Sequence, residues 1–163
     1  MCCKTLFLVF FFATALFAKS YNFSELRYSD ATGRYKQLNG IIEFSKDGLE
    51  LEYKKEGRKL LYDGENVEYF QNGKEVALAT KTQNYLSYYF EILKLLHEGD
   101  ESELRENFSV KEEELKTVLL PLGSMRYYID SIELQKEQKE LRYVKLFLKN
   151  KDTITIHIEN ETE

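Results

Sequence analysis

The sequence predicts a mainly β domain of the α+β kind, in which an antiparallel sheet wraps one long apolar helix. Three observations predict it. Turn-forming pairs recur at short intervals through the first half, at Asp47-Gly48, Glu56-Gly57, Asp63-Gly64 and Asn72-Gly73. Apolar and polar residues alternate between those turns. A single stretch, residues 82–97, replaces the alternation with helical periodicity before strand-like patterning resumes.

The first strands follow from the period of two. Ile42 and Phe44 alternate with Glu43 and Ser45, while Leu49, Leu51 and Tyr53 alternate with Glu50, Glu52 and Lys54. Val67 and Tyr69 flank Glu68 in the same way. Such alternation describes an antiparallel meander over residues 36–80 with one wet face. Glycine at each turn is expected to supply the positive φ that tight hairpins need. The register predicts that Ile42, Phe44, Leu49, Leu51, Tyr53 and Tyr69 face inward, because a slip of one residue would bury Glu50 and Glu52.

The helix has its own punctuation. Thr80-Lys81-Thr82-Gln83 fits a capping box, and Gly99 suits a C-terminal stop. At about 100° per residue, Tyr85, Leu86, Tyr88, Tyr89, Phe90, Ile92, Leu93, Leu95 and Leu96 cover roughly 220° of the helix surface. A surface helix needs an apolar stripe of only about 100°. This helix therefore expects protein on two or three sides. The last third returns to strands: Phe108 to Val110, then Leu115 to Leu120 before the sole proline, Pro121. A short helical turn from Ser124 to Tyr128 precedes three further strands, around Ile132 and Leu134, Val144 to Leu148, and Ile154 to Ile158. Short charged connections join those three as hairpins.

Ahead of the domain stands a secretory leader. Lys4 provides its positive region, Leu6 to Phe17 its apolar core, and the small residues Ala18 and Ser20 allow a cut after Ala18, the first choice, or after Ser20. Twelve apolar residues at about 1.5 Å each fall short of the ~30 Å of bilayer hydrocarbon, so a membrane span is not expected. The chain thus divides into residues 1–18, a cleavable signal peptide, and residues 19–163, a single exported domain. Cleavage after Ala18 leaves 145 residues, a net charge of −6 (22 basic, 28 acidic) and no cysteine, since Cys2 and Cys3 leave with the leader. Disulfides, thiolate metal sites and a cysteine nucleophile are thereby excluded from the mature chain. A chain near 150 residues buries about 68–70% of its unfolded surface, enough for one core. With no basic cluster, nucleic acid is not an expected partner.

Catalytic candidates are few. His97 closes the helix, where a cation and the helix dipole agree, and His157 lies on an outward face. No nucleophile elbow, zinc-binding helix or phosphate-cradling loop is present. Glu112-Glu113-Glu114 lacks the spaced oxygen ligands that calcium needs and reads as a solvated turn. Neither a metal nor a cofactor is expected, and no residue is assigned as catalytic. The aromatics carry more information. All 12 tyrosines follow the leader, and four aromatics crowd the helix. They serve either a filled core or an apolar cavity between helix and sheet.

The order of these residues resembles the periplasmic outer-membrane lipoprotein carrier family, LolA. The resemblance lies in Asn39-Gly40-Ile41-Ile42-Glu43-Phe44, Lys46-Asp47-Gly48-Leu49 with Tyr53, and Leu60-Leu61-Tyr62-Asp63-Gly64 with Tyr69. An apolar helix, Phe108-Ser109-Val110, Leu120-Pro121 and a final hairpin with Asp152-Thr153-Ile154 follow in matching order. The resemblance implies an incomplete antiparallel β-barrel lidded by the long helix and short helices. It implies a monomeric, chaperone-like carrier in outer-membrane biogenesis that shelters the acyl chains of lipoproteins or other lipids without covalent chemistry. It also implies an inner-membrane releasing complex and an outer-membrane acceptor as partners. On that reading Ile42, Phe44, Leu49, Leu51, Tyr53, Tyr69, Tyr89, Phe90 and Leu93 line the lipid-binding space. Two family features are not found. The arginine of the strand after the first hairpin is matched here by Glu50, and no helix precedes the first strand. The alternative is an envelope structural or interaction protein whose half-barrel is filled by its own side chains.

Overall fold

A computed structural model describes residues 19–99 and 101–161. The proposed leader lies outside the described residues. Among the described residues, eleven antiparallel strands form one sheet: β1 (Lys19–Ser29), β2 (Arg34–Ser45), β3 (Gly48–Tyr53), β4 (Arg58–Tyr62), β5 (Val67–Gln71), β6 (Lys74–Glu75), β7 (Phe108–Glu112), β8 (Thr117–Pro121), β9 (Ile129–Glu137), β10 (Glu140–Leu148) and β11 (Thr153–Glu161). Helices α1 (Thr80–Glu98) and α2 (Glu101–Asn107) separate the halves. The strand order is β6-β5-β4-β3-β2-β1-β11-β10-β9-β8-β7. Two meanders thus meet where β1 pairs with β11, and the sheet stays open between β6 and β7.

The sheet curves round α1, which touches it at widely separated strands. Phe90 stacks on Tyr62 of β4, with ring centroids 5.7 Å apart. His97 stacks on Phe44 of β2 at 3.7 Å, and Tyr88 on Tyr128, beside β9, at 5.6 Å. Tyr89, Phe90, Ile92, Leu93, Leu95 and Leu96 are buried, and Asn84, Glu91 and Glu98 face water. The broad apolar arc is satisfied by a concave sheet rather than by a second helix layer.

The predicted register holds. Phe44 pairs with Leu49 and Ile42 with Leu51, and all four are buried along with Tyr53. Tyr69 is half-buried, its hydroxyl donating to Gln71 Oε1 at 2.5 Å. Glu50 stays on the outer face, 2.6 Å from Lys59 Nζ.

Local details depart from expectation for identifiable reasons. The capping box is not made: α1 begins at Thr80 behind Ala79, with no side-chain cap. Gly99 does end the helix, donating its N–H to Leu95 O at 2.7 Å, but at φ −59°. Glycine is needed there because a Cβ would stand 2.2 Å from Leu95 O. Gly48 is likewise not a positive-φ residue, unlike Gly57, Gly64 and Gly73; a Cβ on it would meet Tyr62 O at 1.9 Å. Leu115 lies in the turn before β8 and is 82% exposed. The short α2 is not foreshadowed by the sequence pattern, and β1 runs well beyond Phe23-Ser24-Glu25-Leu26, the first strand-like segment after the leader.

Candidate functional site

The interior is not filled uniformly. Towards the C-terminal end of α1 the core is closed. Ile42, Phe44, Leu49 and Leu93 are at most 4% exposed and border none of the cavities described below. Towards its N-terminal end the sheet and helix diverge and leave a cavity of about 310 Å³. That is at the lower end of the range for ligand pockets, about 300–1,000 Å³. Leu51, Leu60 and Tyr69 wall it from the sheet, and Leu78, Tyr85, Leu86 and Phe90 from the helix side. Of the nine residues assigned to a lipid space from the sequence, the cavity brings together Leu51, Tyr53, Tyr69, Tyr89 and Phe90.

Its floor is polar and was not legible in the sequence. Glu25 projects inward from β1 at 0% exposure. One carboxylate oxygen accepts hydrogen bonds from the Tyr53 hydroxyl at 2.8 Å and the Tyr89 hydroxyl at 2.9 Å. The other accepts from Arg27 Nε, two residues along the same face of the strand. Three donors from β1, β3 and α1 therefore neutralise and satisfy one buried charge, as burial requires. Burial alone would lower the Arg27 guanidinium, but its ion pair and hydrogen bond with Glu25 outweigh that and hold it above its usual value. The Tyr53 and Tyr89 hydroxyls are both pushed up, first by burial and then by the Glu25 charge, so both remain donors.

An inward arginine is thus present, on β1 rather than on the strand Leu49–Tyr53. The signal was the alternation Tyr21, Phe23, Glu25, Arg27, in which charged residues continue the inward face of an apolar run. Leu26, between Glu25 and Arg27, points out and is 38% exposed.

Arg27 and Tyr85 also border a second cavity of about 530 Å³ towards the β1–β2 turn and the start of β11. A further one of about 480 Å³ has a mixed wall, in which Glu65, Glu91, Lys94, Glu98 and Glu103 join Tyr62, Tyr88 and Leu95. The two histidines are spent structurally. His97 stacks on Phe44 and meets Tyr21 edge-on, and its pKa is lowered to about 4, first by burial and then by Lys19 and Lys136. It is therefore neutral near pH 7, which corrects the expectation of a cation at the helix end. His157 meets Tyr143 edge-on on the outer face. In the Glu112–Glu114 turn, Glu112 accepts from Thr117 and Glu113 from Lys111.

No protein-family model matches the sequence, and no curated protein does. The overall arrangement is similar to that of a LolA superfamily protein from Nitrosomonas europaea. The two chains are 7% identical, and the match covers 91% of this chain and 86% of that one at a TM-score of 0.42. A domain from Vibrio parahaemolyticus, described as an outer membrane lipoprotein-sorting protein, is 6% identical over 91% of this chain and 86% of its own, also at 0.42.

Proposed function

We propose that this chain is an exported carrier that shelters acyl chains, those of lipoproteins or of other lipids, in the space between α1 and the open sheet. The observation that supports it best is the cavity of about 310 Å³ walled by Leu51, Leu60, Leu78, Leu86 and Phe90. Each methylene moved from water into such a space contributes about 0.8 kcal/mol, so a partly sheltered chain is soluble yet still releasable. The residues of the reading support binding without covalent chemistry: the buried Glu25 is committed to three donors, and both histidines to aromatic neighbours. Among the described residues, no helix is long and apolar enough to cross a membrane. The residues that resemble the lipoprotein carriers and the secretory leader fit a periplasmic site of action, with delivery to an outer-membrane acceptor.

The tight packing of Ile42, Phe44, Leu49 and Leu93 favours a second reading, an envelope interaction protein with a self-filled half-barrel. Native mass spectrometry of the exported protein, purified without detergent, separates the two. The carrier reading expects a bound lipid mass that is lost in Phe90→Asp. A protein that carries no lipid and takes none from vesicles or from an acylated lipoprotein supports the interaction protein instead.

A further inference from the structure

Packing alone does not account for Arg58. It opens β4 opposite Tyr53 of β3 and Gln71 of β5, and shares the inward face with Leu60 and Tyr62. Its guanidinium lies over the Tyr53 ring, with Cζ 4.9 Å from the centroid. Nε and Nη2 are buried and have no hydrogen-bond partner. Glu56, two residues earlier, leaves its Oε2 without a hydrogen bond as well, so neither satisfies the other. A cation with idle buried donors is costly unless something arrives to use them. The other guanidinium at the cavity, Arg27, is already committed to Glu25.

The first turn of α1 adds positive character from an independent source. It has no side-chain cap and no acidic residue, and Leu78 and Thr82 from that end border the same cavity. Its free backbone N–H groups and the helix dipole favour an anion. In a chain of net charge −5, this local sign is not a consequence of composition.

We propose that the cavity takes an amphiphile with an anionic head, a carboxylate or a phosphate. The head meets Arg58 beside the start of α1, and the acyl chain lies along Leu60, Tyr69 and Leu86. This rests on the acyl-chain reading and adds the chemistry of the head group. Tyr53 acts as the platform that holds the guanidinium facing the cavity.

The test is calorimetric titration of the exported chain with laurate, dodecyl phosphate, dodecanol, butyrate and inorganic phosphate. Laurate and dodecyl phosphate should bind about tenfold or more tighter than dodecanol, the effect of a charge-assisted hydrogen bond. Butyrate and inorganic phosphate should bind far more weakly than their long-chain counterparts. Arg58→Met keeps the stem over Tyr53 and should reduce laurate to the level of dodecanol without changing dodecanol. The variant should melt no lower than wild type, since it removes unsatisfied donors. Equal binding of laurate and dodecanol by wild type would overturn the head-group proposal and leave the acyl-chain reading standing. Failure of every long-chain ligand would overturn both. Inorganic phosphate bound as tightly as dodecyl phosphate, or an unchanged preference in Arg58→Met, would also overturn the proposal.

Discussion

A carboxylate held at 0% exposure survives folding only when its lone pairs are filled, and Glu25 fills them from Arg27, Tyr53 and Tyr89. Removing different donors should therefore cost different amounts. Tyr89→Phe deletes one neutral donor and should cost about 1–3 kcal/mol. Arg27→Met strips the compensating charge and should cost more, about 3 kcal/mol, the low end for a broken buried pair because Arg27 is itself 36% exposed. Urea unfolding measures both, and an Arg27→Met variant as stable as wild type would show that the pair is dispensable. His97 supplies a second prediction at this scale. Its folded pKa of about 4 lies below the unfolded value of about 6.5, so the unfolded chain takes up the proton first. Its contribution is fully present above pH 6.5, falls as the pH drops, and is lost by about pH 4. His97→Phe keeps a ring against Phe44 and should flatten the fall in Tm over that window relative to wild type.

At the scale of the element, α1 has two roles along one length. Its C-terminal half is core, with Ile92, Leu93 and Leu96 at 0% exposure, whereas Tyr85 and Leu86 of its N-terminal half are half-buried beside the cavity. Leu93→Ala should thus cost about 2–5 kcal/mol and leave the affinity for acyl ligands unchanged. Leu86→Ala should cost less and weaken that affinity. Thermal unfolding and laurate titration of the two variants check this, and the opposite pattern would move the binding space to the closed end. The hairpins make a related point. Asn72-Gly73 was readable as a tight turn, and both residues do have positive φ. Gln138 and Lys139 make the β9–β10 turn at positive φ with no glycine, imposed by the strands they join.

Across the whole molecule, the first and last strands meet at the centre of the sheet, so β1 bridges two meanders of opposite sequence order. Lys19 and Ser20 are already part of it, pairing with Phe44 and Glu43, and Ser20 Oγ donates to Glu43 at 3.0 Å. A cut after Ala18 keeps those pairs, whereas a cut after Ser20 discards them. N-terminal sequencing of the exported protein should therefore find Lys19 in preference to Tyr21. Intact Met1 in the exported pool would refute the leader.

Period-two alternation decided the faces of β2, β3 and β5, because exchanging Leu51 for Glu50 at an inward position would bury charge on every turn of the pleat. The wide apolar arc of α1 decided that it sits inside a curved sheet, because no flat face could cover it. Those features depend only on neighbours in the chain, and they were legible. The polar floor was not. Glu25 and Arg27 continue the inward face of β1 after Tyr21 and Phe23, and the burial of Glu25 is affordable only because Tyr53 and Tyr89 arrive from β3 and α1. Nor could spacing divide the apolar positions into closed core at Leu93 and open cavity at Leu86, since that depends on where helix and sheet part. Donors supplied from distant strands and the space left between packed elements are set by tertiary structure alone, because each is a property of groups that only folding brings together.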